Sequence, residues 1–286
     1  MSNRFISRLL IAASLTLIIC TFFPRAVPAQ TAPQNPTLVL YAFDAEGKLL
    51  TGKMTIEKTV KILGRTVQVG TLAGKSIVLA ESGIGMTNAA MTTQKLIDTY
   101  HPIRVLFTGI AGAVDSTVHI GDIVVCQNWS QHDFGYIGKD GFKPEGVETR
   151  DNLMDTIIEK KQFDVDSSLF AAAMILSSNN LPFDKIGERV PKLRVEGIGV
   201  TGNMFIDNIE KRLWLADQFH ALITDMESAA VAQVCTANRV PFIIFRSASD
   251  LAGGSGSSTA SDEIKQFFKI AADNSSRVLE AFLKKI

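Results

Sequence analysis

The sequence predicts a single α/β domain with a largely parallel sheet flanked by helices. Continuous apolar runs of strand length, such as residues 37–43 and 242–245, are typical of strands buried on both faces of a parallel sheet. These runs alternate with longer segments of helical period, such as residues 86–100, and this alternation favours an α/β architecture. The chain has 286 residues, of which 46% are hydrophobic and 20% charged, so it can bury one large core.

The N-terminal segment is expected to lie outside this domain. Basic residues precede the apolar residues 9–23, and the small residues at 27–29 suit a cleavage site. The pattern predicts a signal peptide over residues 1–29 and a mature domain over 30–286, in an exported protein that is periplasmic or secreted. The apolar run is about 15 residues long, whereas a spanning helix needs about 20, so an uncleaved anchor is the weaker alternative. No stable membrane association is expected after cleavage.

Charge, cysteines and motifs exclude several classes of function. The formal net charge is +0, so nucleic acid is not an expected partner. Two cysteines, Cys126 and Cys235, follow residue 29; they do not make a disulfide framework, and we expect buried free thiols. The sequence has no HExxH motif and no clustered cysteines, so no metal is expected. It has no GxGxxG and no P-loop, so no nucleotide cofactor is expected either.

The elements of the first half follow from apolar runs, glycines and prolines. An acidic turn at 44–47 follows the first strand, and glycine-rich turns at 81–85 and 108–113 follow two later strands. Pro102 ends the helix between those two turns. In order, we expect a strand at 37–43, a hairpin at 61–63 and 66–72, a strand at 75–80, a helix at 86–100 and strands at 105–107 and 121–125.

The second half is predicted to begin with a long surface loop at 128–152, and loops of this length are often functional. Asp166 or Ser167 opens the next helix, and Ser261 caps the last one. The strand at 242–245 is expected to end in a small polar turn. In order, we expect a helix at 166–180, a strand at 194–200, a helix at 208–219, a strand at 221–224, a helix at 225–238, a strand at 242–245 and a helix at 262–285.

Three acids follow predicted strands. Glu46 comes after the first strand, Glu227 after the strand at 221–224, and Asp250 after the strand at 242–245. In a parallel sheet all three would lie at the carboxyl edge, where open α/β sheets bind ligands. Cleavage of a glycosidic bond needs one carboxyl group to activate water and another group to protonate the leaving group. Taken singly, each acid is better explained as a helix or turn cap.

Four stretches together resemble the purine nucleoside phosphorylase/nucleosidase superfamily, most closely the methylthioadenosine/S-adenosylhomocysteine nucleosidases. They are ESGIGMTNAA at 81–90, TGIAGAVDSTVHIGDIVV at 108–125, TDMESAAVAQVC at 224–235 and VPFIIFRSASD at 240–250, with a looser fifth, TGNMFI, at 201–206. The resemblance implies a nucleoside phosphorylase-like fold with a twisted mixed sheet, and a homodimer. It also implies hydrolysis of the N-glycosidic bond of an adenine nucleoside, which releases adenine and the ribose without a cofactor.

The resemblance also implies roles for single residues. Asp250 corresponds to the acid that protonates adenine N7, with Ser249 beside it. Glu227 corresponds to the carboxylate that binds the ribose hydroxyls. Glu46 corresponds to the acid that activates water, and Asp44 is its rival. The other candidate binding residues are Met226 against the ribose, Phe205 and Ile206 at the adenine, Ser82 at the water or anion position, and Gly83, Ile84, Thr108, Gly109, Asp225 and Arg246, the last as a partner within the strand end.

Two alternatives stay open beside hydrolysis. Phosphorylases of the superfamily place an arginine just before the turn at 108–113, where this chain has Phe107, and Arg104 lies at the wrong end of the strand. A phosphate dianion without an arginine would be poorly held, so water is the favoured acceptor. Exported members of the superfamily also include non-catalytic storage proteins. The loop at 132–136 departs from the family pattern, which leaves the 5′ substituent of the nucleoside open.

Overall fold

A computed structural model of the chain describes residues 36–151, 156–179 and 181–286, and the predicted signal peptide at 1–29 lies outside the described residues. The strands are β1 (Thr37–Tyr41), β2 (Thr55–Ile62), β3 (Arg65–Leu72), β4 (Lys75–Glu81), β5 (Arg104–Ala113), β6 (Ile123–Val125), β7 (Asn128–Gln131), β8 (Gly135–Gly138), β9 (Gly141–Pro144), β10 (Val147–Asp151), β11 (Thr156–Lys160), β12 (Phe163–Asp164), β13 (Leu193–Val195), β14 (Ile198–Thr201), β15 (Ala221–Asp225) and β16 (Phe242–Leu251). The helices are α1 (Asp44–Lys53), α2 (Met86–Tyr100), α3 (Ser167–Ser177), α4 (Ile209–Phe219), α5 (Ser228–Asn238) and α6 (Ala260–Leu283).

A mixed sheet of 12 strands runs through the described part of the chain, in the order β12-β7-β14-β15-β5-β1-β4-β3-β2, with β16 beside β5 and β6, and β13 beside β6. Its centre is parallel, because β1 pairs in parallel with β4 and β5, and β5 with β16. The β2–β3–β4 meander is antiparallel. The predicted α/β class with a mixed, largely parallel sheet is therefore confirmed.

Two cores cover the two faces of the sheet. Successive side chains of a strand point to opposite faces, so Leu38 and Leu40 of β1 enter one core while Val39 and Tyr41 enter the other. Helices α2 and α5 supply the first core, and α1, α3 and α6 supply the second. Both faces of the central strands are thus dry, which explains why their sequences read as continuous apolar runs.

Three predicted turns are wrong because they lie inside regular elements. Residues 44–47 begin helix α1, residues 108–113 continue β5, and the polar residues after position 245 continue β16. β5 and β16 pair in parallel from Val105 opposite Phe242 to Ala113 opposite Leu251. This ladder satisfies the backbone groups of the glycines and serines, so they stay extended. The register shifts between Ala248 and Asp250, which leaves Ser249 as an extra residue in the strand.

Other boundaries also differ from expectation. The predicted loop at 128–152 contains β7, the β8–β9 hairpin and β10. The predicted strand at 194–200 is two strands separated at Gly197, whose φ of 76° breaks the extended chain. The last helix begins at Ala260 and is capped by Thr259, whose side chain accepts from the Asp262 N–H, so Ser261 is not the cap. Helix α5 begins at Ser228 rather than at residue 225.

Two further features of the described residues bear on earlier expectations. Cys126 and Cys235 are buried free thiols, as predicted. None of the helices in the described ranges is long and apolar enough to cross a membrane.

Candidate active site

A cavity of about 280 Å³ lies where the ends of β1, β5, β15 and β16 meet. β15 runs antiparallel to β5, but it pairs only with the last residues of β5, Gly112 and Ala113, so the carboxyl ends of both strands still meet. The lining residues are Ala42, Phe43, Glu46, Ile84, Ile110, Ala111, Gly112, Phe205, Thr224, Asp225, Met226, Glu227, Ser249, Asp250 and Ile264. The cavity is thus mostly apolar with a few acids, which is typical of a small-molecule site.

A fully buried arginine joins three of the acids. The Nε of Arg246 lies 2.8 Å from Asp225 Oδ2, and its Nη2 lies 3.3 Å from Glu227 Oε2. Its Nη1 lies 3.7 Å from Glu46 Oε1. The guanidinium also lies over the Phe107 ring, 4.1 Å from the centroid, so one cation connects carboxylates from three separate segments.

Glu46 is fixed by one backbone amide just after β1 and by another within β5. Its Oε2 accepts from the Ala42 N–H at 2.6 Å and its Oε1 from the Ile110 N–H at 2.8 Å. The first turn of α1 places the carboxyl group there, whereas Asp44 is exposed and lines a different cavity. Burial raises the pKa of Glu46, and Arg246 and the backbone hydrogen bonds oppose this rise. A buried carboxylate with a raised pKa is a stronger base than an exposed one.

Glu227 occupies the N-cap position of α5 and reaches across to the start of α2. Its Oε1 accepts from the Gly85 N–H at 2.9 Å. Burial raises its pKa to about 8; Arg246 opposes this rise, whereas Asp225 and Glu46 add to it. The Glu227 side chain is therefore protonated below about pH 8. Above that pH it carries a negative charge at the cavity wall that Arg246, shared with two other acids, balances only in part.

Asp250 is the acid best suited to hold a proton. Its Oδ2 accepts from the Ser249 hydroxyl at 2.7 Å, while its Oδ1 is buried without a partner. Burial raises the pKa of Asp250 to about 7; the Ser249 hydrogen bond opposes this rise, and Glu263 and Asp207 add to it. A neutral carboxyl group with a free oxygen can donate a proton to a base in the cavity.

Asp225 connects several groups at the base of the site by hydrogen bonds and an ion pair. It accepts from the Thr201 hydroxyl at 2.5 Å and from the Ser228 N–H and hydroxyl, besides its ion pair with Arg246. Although it borders the cavity, its oxygens are occupied by protein groups. Asp225 thus holds neighbouring side chains in place and presents no free oxygen to the cavity.

The predicted site residues fall into three groups. Those that line the main cavity are Glu46, Ile84, Phe205, Asp225, Met226, Glu227, Ser249 and Asp250. Ile206 lines a smaller cavity that shares Asp250 and Phe205 with the main one. Those that line neither are Ser82, Gly83, Thr108, Gly109 and Arg246.

The residues outside the cavity have clear structural partners. The Thr108 hydroxyl lies 2.7 Å from the Ser275 hydroxyl, which also accepts from the Gly109 N–H at 3.2 Å, so both positions anchor α6. Ser82 is fully buried and donates to the Gly83 carbonyl at 3.2 Å. They line neither cavity, and their contact with substrate stays a prediction.

Several lining residues were not predicted from the sequence. Ala42, Phe43, Thr224 and Ile264 line the cavity but are not among the predicted site residues, although Thr224 begins the stretch at 224–235. Phe43 and Thr224 sit directly beside predicted elements of the site, and that proximity was the available signal. Ile264 comes from the second turn of α6, and its approach to the cavity depends on how that helix packs, which no local pattern reveals.

Comparisons with known proteins agree with this geometry. A family model described as the phosphorylase superfamily matches residues 37–284. The 5′-methylthioadenosine/S-adenosylhomocysteine nucleosidase of Staphylococcus haemolyticus (strain JCSC1435) is 30% identical over 256 residues, which cover 86% of this chain and 98% of that protein. The enzyme of the same name from Psychromonas ingrahamii is 31% identical over 256 residues, with 87% and 98% covered.

Solved structures show the same relationship. The 5′-methylthioadenosine/S-adenosylhomocysteine nucleosidase from Neisseria meningitidis, in complex with methylthio-immucillin-A, has a TM-score of 0.72 and 28% identity, covering 88% of this chain and 100% of that one. Futalosine hydrolase of Helicobacter pylori strain 26695 has a TM-score of 0.73 and 25% identity, covering 88% and 98%. The chain belongs to the phosphorylase superfamily and, within it, to the family of 5′-methylthioadenosine/S-adenosylhomocysteine nucleosidases.

Proposed function

We propose that this protein hydrolyses the N-glycosidic bond of adenine nucleosides, with methylthioadenosine and S-adenosylhomocysteine as first candidates. The observation that carries the proposal is Asp250, a buried carboxyl group with a pKa of about 7 and an unpartnered oxygen in the cavity. Adenine is a poor leaving group until N7 is protonated, and a neutral acid at this place can supply that proton.

The other two acids suit the rest of the reaction. As the bond to adenine breaks, the sugar becomes oxocarbenium-like, and a carboxylate such as Glu227 stabilises the positive charge and binds the ribose hydroxyls. Water attacks the anomeric carbon from the opposite side, and Glu46 takes its proton. The Glu46 oxygens accept from the Ala42 and Ile110 N–H groups, and a carboxylate has about four lone-pair sites, so the side chain can also accept from water.

Water rather than phosphate is the proposed acceptor. None of the described residues that line the cavity is lysine, arginine or histidine. Arg246 is directed at three carboxylates, and Phe107 stands where a phosphorylase would carry its arginine. A phosphate dianion in the cavity would therefore lie next to acidic side chains and have no cationic partner.

The test is a substrate panel with and without phosphate. Release of the free base is measured from methylthioadenosine, S-adenosylhomocysteine, adenosine and inosine, and from futalosine because a hydrolase of that name has a similar fold. We expect adenine release that does not depend on phosphate. Strict phosphate dependence would instead favour a phosphorylase, and no release from any nucleoside would favour a storage or binding protein.

We further propose that the protein is exported. The support is the segment at 1–29, with its basic start, apolar middle and small residues before position 30. Expression of the full chain in a bacterial host, followed by fractionation and N-terminal sequencing, should find the protein outside the cytoplasm and beginning at Gln30. Full-length protein in the cytoplasmic fraction would contradict export.

A homodimer is also proposed. The family resemblance is the basis, and exposed apolar side chains on the β8–β9 hairpin, Tyr136 at 59% and Ile137 at 77% exposure, add support. Light scattering of the mature chain should give twice the monomer mass, whereas a monomer mass at micromolar concentration would count against a dimer.

A further inference from the structure

The turn before helix α2 is held by two side chains from distant parts of the chain. The Gly85 N–H donates to Glu227 Oε1 at 2.9 Å, and the next amide, Met86 N–H, donates to Asn203 Oδ1 at 3.0 Å. Both amides belong to the start of a helix, where N–H groups lack partners within the helix. Glu227 and Asn203 therefore bind neighbouring donors of one turn, and a shift of either amide moves the other.

Asn203 is itself fixed by the end of a neighbouring strand. Its N–H donates to Asp133 Oδ2 at 2.8 Å. β7 and β14 run in parallel, so the His132–Asp133 and Gly202–Asn203 segments that follow them lie side by side. The His132 N–H donates to the Thr201 carbonyl at 2.9 Å, and Gly202 lies so close to the His132 ring that a Cβ there would overlap it. The side chain of Asn203 is thus aimed by its backbone.

We infer that Asn203, held by Asp133, is a positioning residue that fixes the Gly85 amide and thereby orients the Glu227 carboxylate in the cavity. The hydrogen bonds run from Asp133 to Asn203, from Asn203 to the Gly85–Met86 turn, and from that turn to Glu227. Neither Asp133 nor Asn203 lines the cavity, so both act through Glu227.

The orientation of the Glu227 carboxyl group depends on the Gly85 contact, because the second carboxyl oxygen, Oε2, has only a longer contact. Oε2 accepts from Arg246 Nη2 at 3.3 Å, a longer contact that constrains the carboxyl group less than the Gly85 hydrogen bond does. The shorter Gly85 contact fixes the rotation and also favours the ionised form of Glu227, which lowers its pKa against the effect of burial. Loss of the Asn203 hydrogen bond that holds the Gly85–Met86 turn should therefore change both the orientation and the pKa of Glu227.

Three variants separate this role from simple stabilisation of a helix. Asn203→Ala removes the acceptor for the Met86 N–H, whereas Asn203→Asp keeps an oxygen at the same place. Asp166→Ala is the matched control, because it removes a side-chain cap from α3, none of whose residues lines the cavity. Melting temperature, kcat and KM for methylthioadenosine are measured for each variant between pH 5 and pH 9.

The inference rests on the proposed nucleosidase activity for its kinetic readout, and the wild-type rate tests that activity separately. In an active protein we expect Asn203→Ala to lower kcat/KM about tenfold, because the freed turn weakens the hydrogen bond from the Gly85 N–H to the charged Glu227 carboxylate. The pH limb set by Glu227 should move to higher pH, and Asn203→Asp, which keeps the acceptor oxygen, should restore most of kcat/KM. Asp166→Ala should change only the melting temperature.

A double-mutant cycle and hydrogen exchange complete the test. If Asn203 acts through Glu227, Asn203→Ala should cost little further activity in a Glu227→Ala background. Exchange of the Gly85 and Met86 amides should be faster in Asn203→Ala, and this readout needs no turnover. Wild-type kcat/KM in Asn203→Ala, an equal loss in Asn203→Asp, additive losses in the cycle, or unchanged exchange would each overturn the inference.

Discussion

At the scale of single residues, Asp250 carries the clearest prediction. Asp250→Asn keeps the shape and the Ser249 contact but removes the proton donor, so we expect kcat for adenine release to fall about 10²–10⁴-fold, the usual contribution of a general acid. Circular dichroism and the melting temperature should show a folded protein. Asp184→Asn, a change at an acid that pairs with Arg277 on the surface, is the control and should keep full activity. Near-normal turnover by Asp250→Asn would remove Asp250 from the mechanism.

The same carboxyl group predicts the alkaline side of the pH profile. A proton donor works only while it is protonated, so activity should be present below the pKa of Asp250 and lost above it. Because burial raises that pKa to about 7, and because the Glu227 carboxylate forms only as pH approaches its own pKa of about 8, kcat/KM should peak between pH 7 and pH 8 and decline above pH 8. Steady-state rates in buffers of constant ionic strength measure the midpoint, and a rate that still climbs from pH 7 to pH 9 would contradict this role.

Arg246 predicts a stability effect of a different size. Removing one partner from a buried ion pair leaves charges uncompensated and usually costs about 3–5 kcal/mol, so Arg246→Met should destabilise the fold by at least that much. Three acids lose their shared cation at once. Lys269→Met is the comparison, since its pair with Asp273 is at the surface, where such pairs contribute about 0–1 kcal/mol. Urea unfolding of both variants gives the two losses of unfolding free energy. Equal losses would show that the buried cluster contributes no more stability than the surface pair does.

At the scale of elements, local patterns identified the strands and helices better than their ends. The sequence predicts ends of β5 and β16 that lie too early in the chain, because glycines and serines usually mark turns. Which residues stay extended is decided by the partner strand, and the long parallel pairing of β5 with β16 is a tertiary fact. The helical start at Asp44 was missed for the same kind of reason, since its acid-rich first turn also suits a loop.

For the site, likewise, the sequence predicts which acids come together but not the contacts that hold them. Glu46, Glu227 and Asp250 could be assigned to one edge of the sheet, since each follows a strand, and the structure brings all three to one cavity. The sequence could not show that Glu46 takes its amide contacts from Ala42 and Ile110, because these depend on how three segments meet in space. The catalytic roles of the three acids stay predictions until the variants are measured.

Gly109 gives the prediction that belongs to this scale. A Cβ at Gly109 would overlap Arg246 Nη1 and come within 2.5 Å of Glu46 Oε1, so Gly109→Ala should push the buried cation away from its acids. We expect a loss of several kcal/mol of unfolding free energy. Gly52→Ala is the matched control: it lies within α1 with nothing within 4 Å of the added atom, so it should stabilise by about 0.5–1 kcal/mol. A mild Gly109→Ala phenotype would mean that the cluster can move apart.

At the scale of the whole molecule, the fold keeps protons that the unfolded chain releases. Burial raises the pKa of Asp250 to about 7 and that of Glu227 to about 8, from 3.8 and 4.5 in the unfolded chain. A group with a raised folded pKa contributes stability that is present at low pH and lost as pH rises through the folded pKa. His132 acts in the opposite sense, because burial lowers its pKa from 6.5 to about 4, so its contribution is complete above pH 6.5.

These opposed effects leave a window, pH 6.5 to 8, in which the buried acids of the site, Glu46 among them, should control the pH dependence of stability. The free energy of unfolding should fall there, by about 1.4 kcal/mol per pH unit for each carboxyl group that is protonated in the fold and ionised in the unfolded chain. Urea unfolding at pH 6.5, 7, 7.5 and 8 measures the slope. Asparagine does not titrate, so Asp250→Asn should show a shallower fall over the lower part of the window, while Asp184→Asn keeps the wild-type slope. If stability were flat or rising across this window, the acids of the cavity would be ionised in the free protein, and Asp250 would not hold the proton that cleavage of the bond to adenine requires.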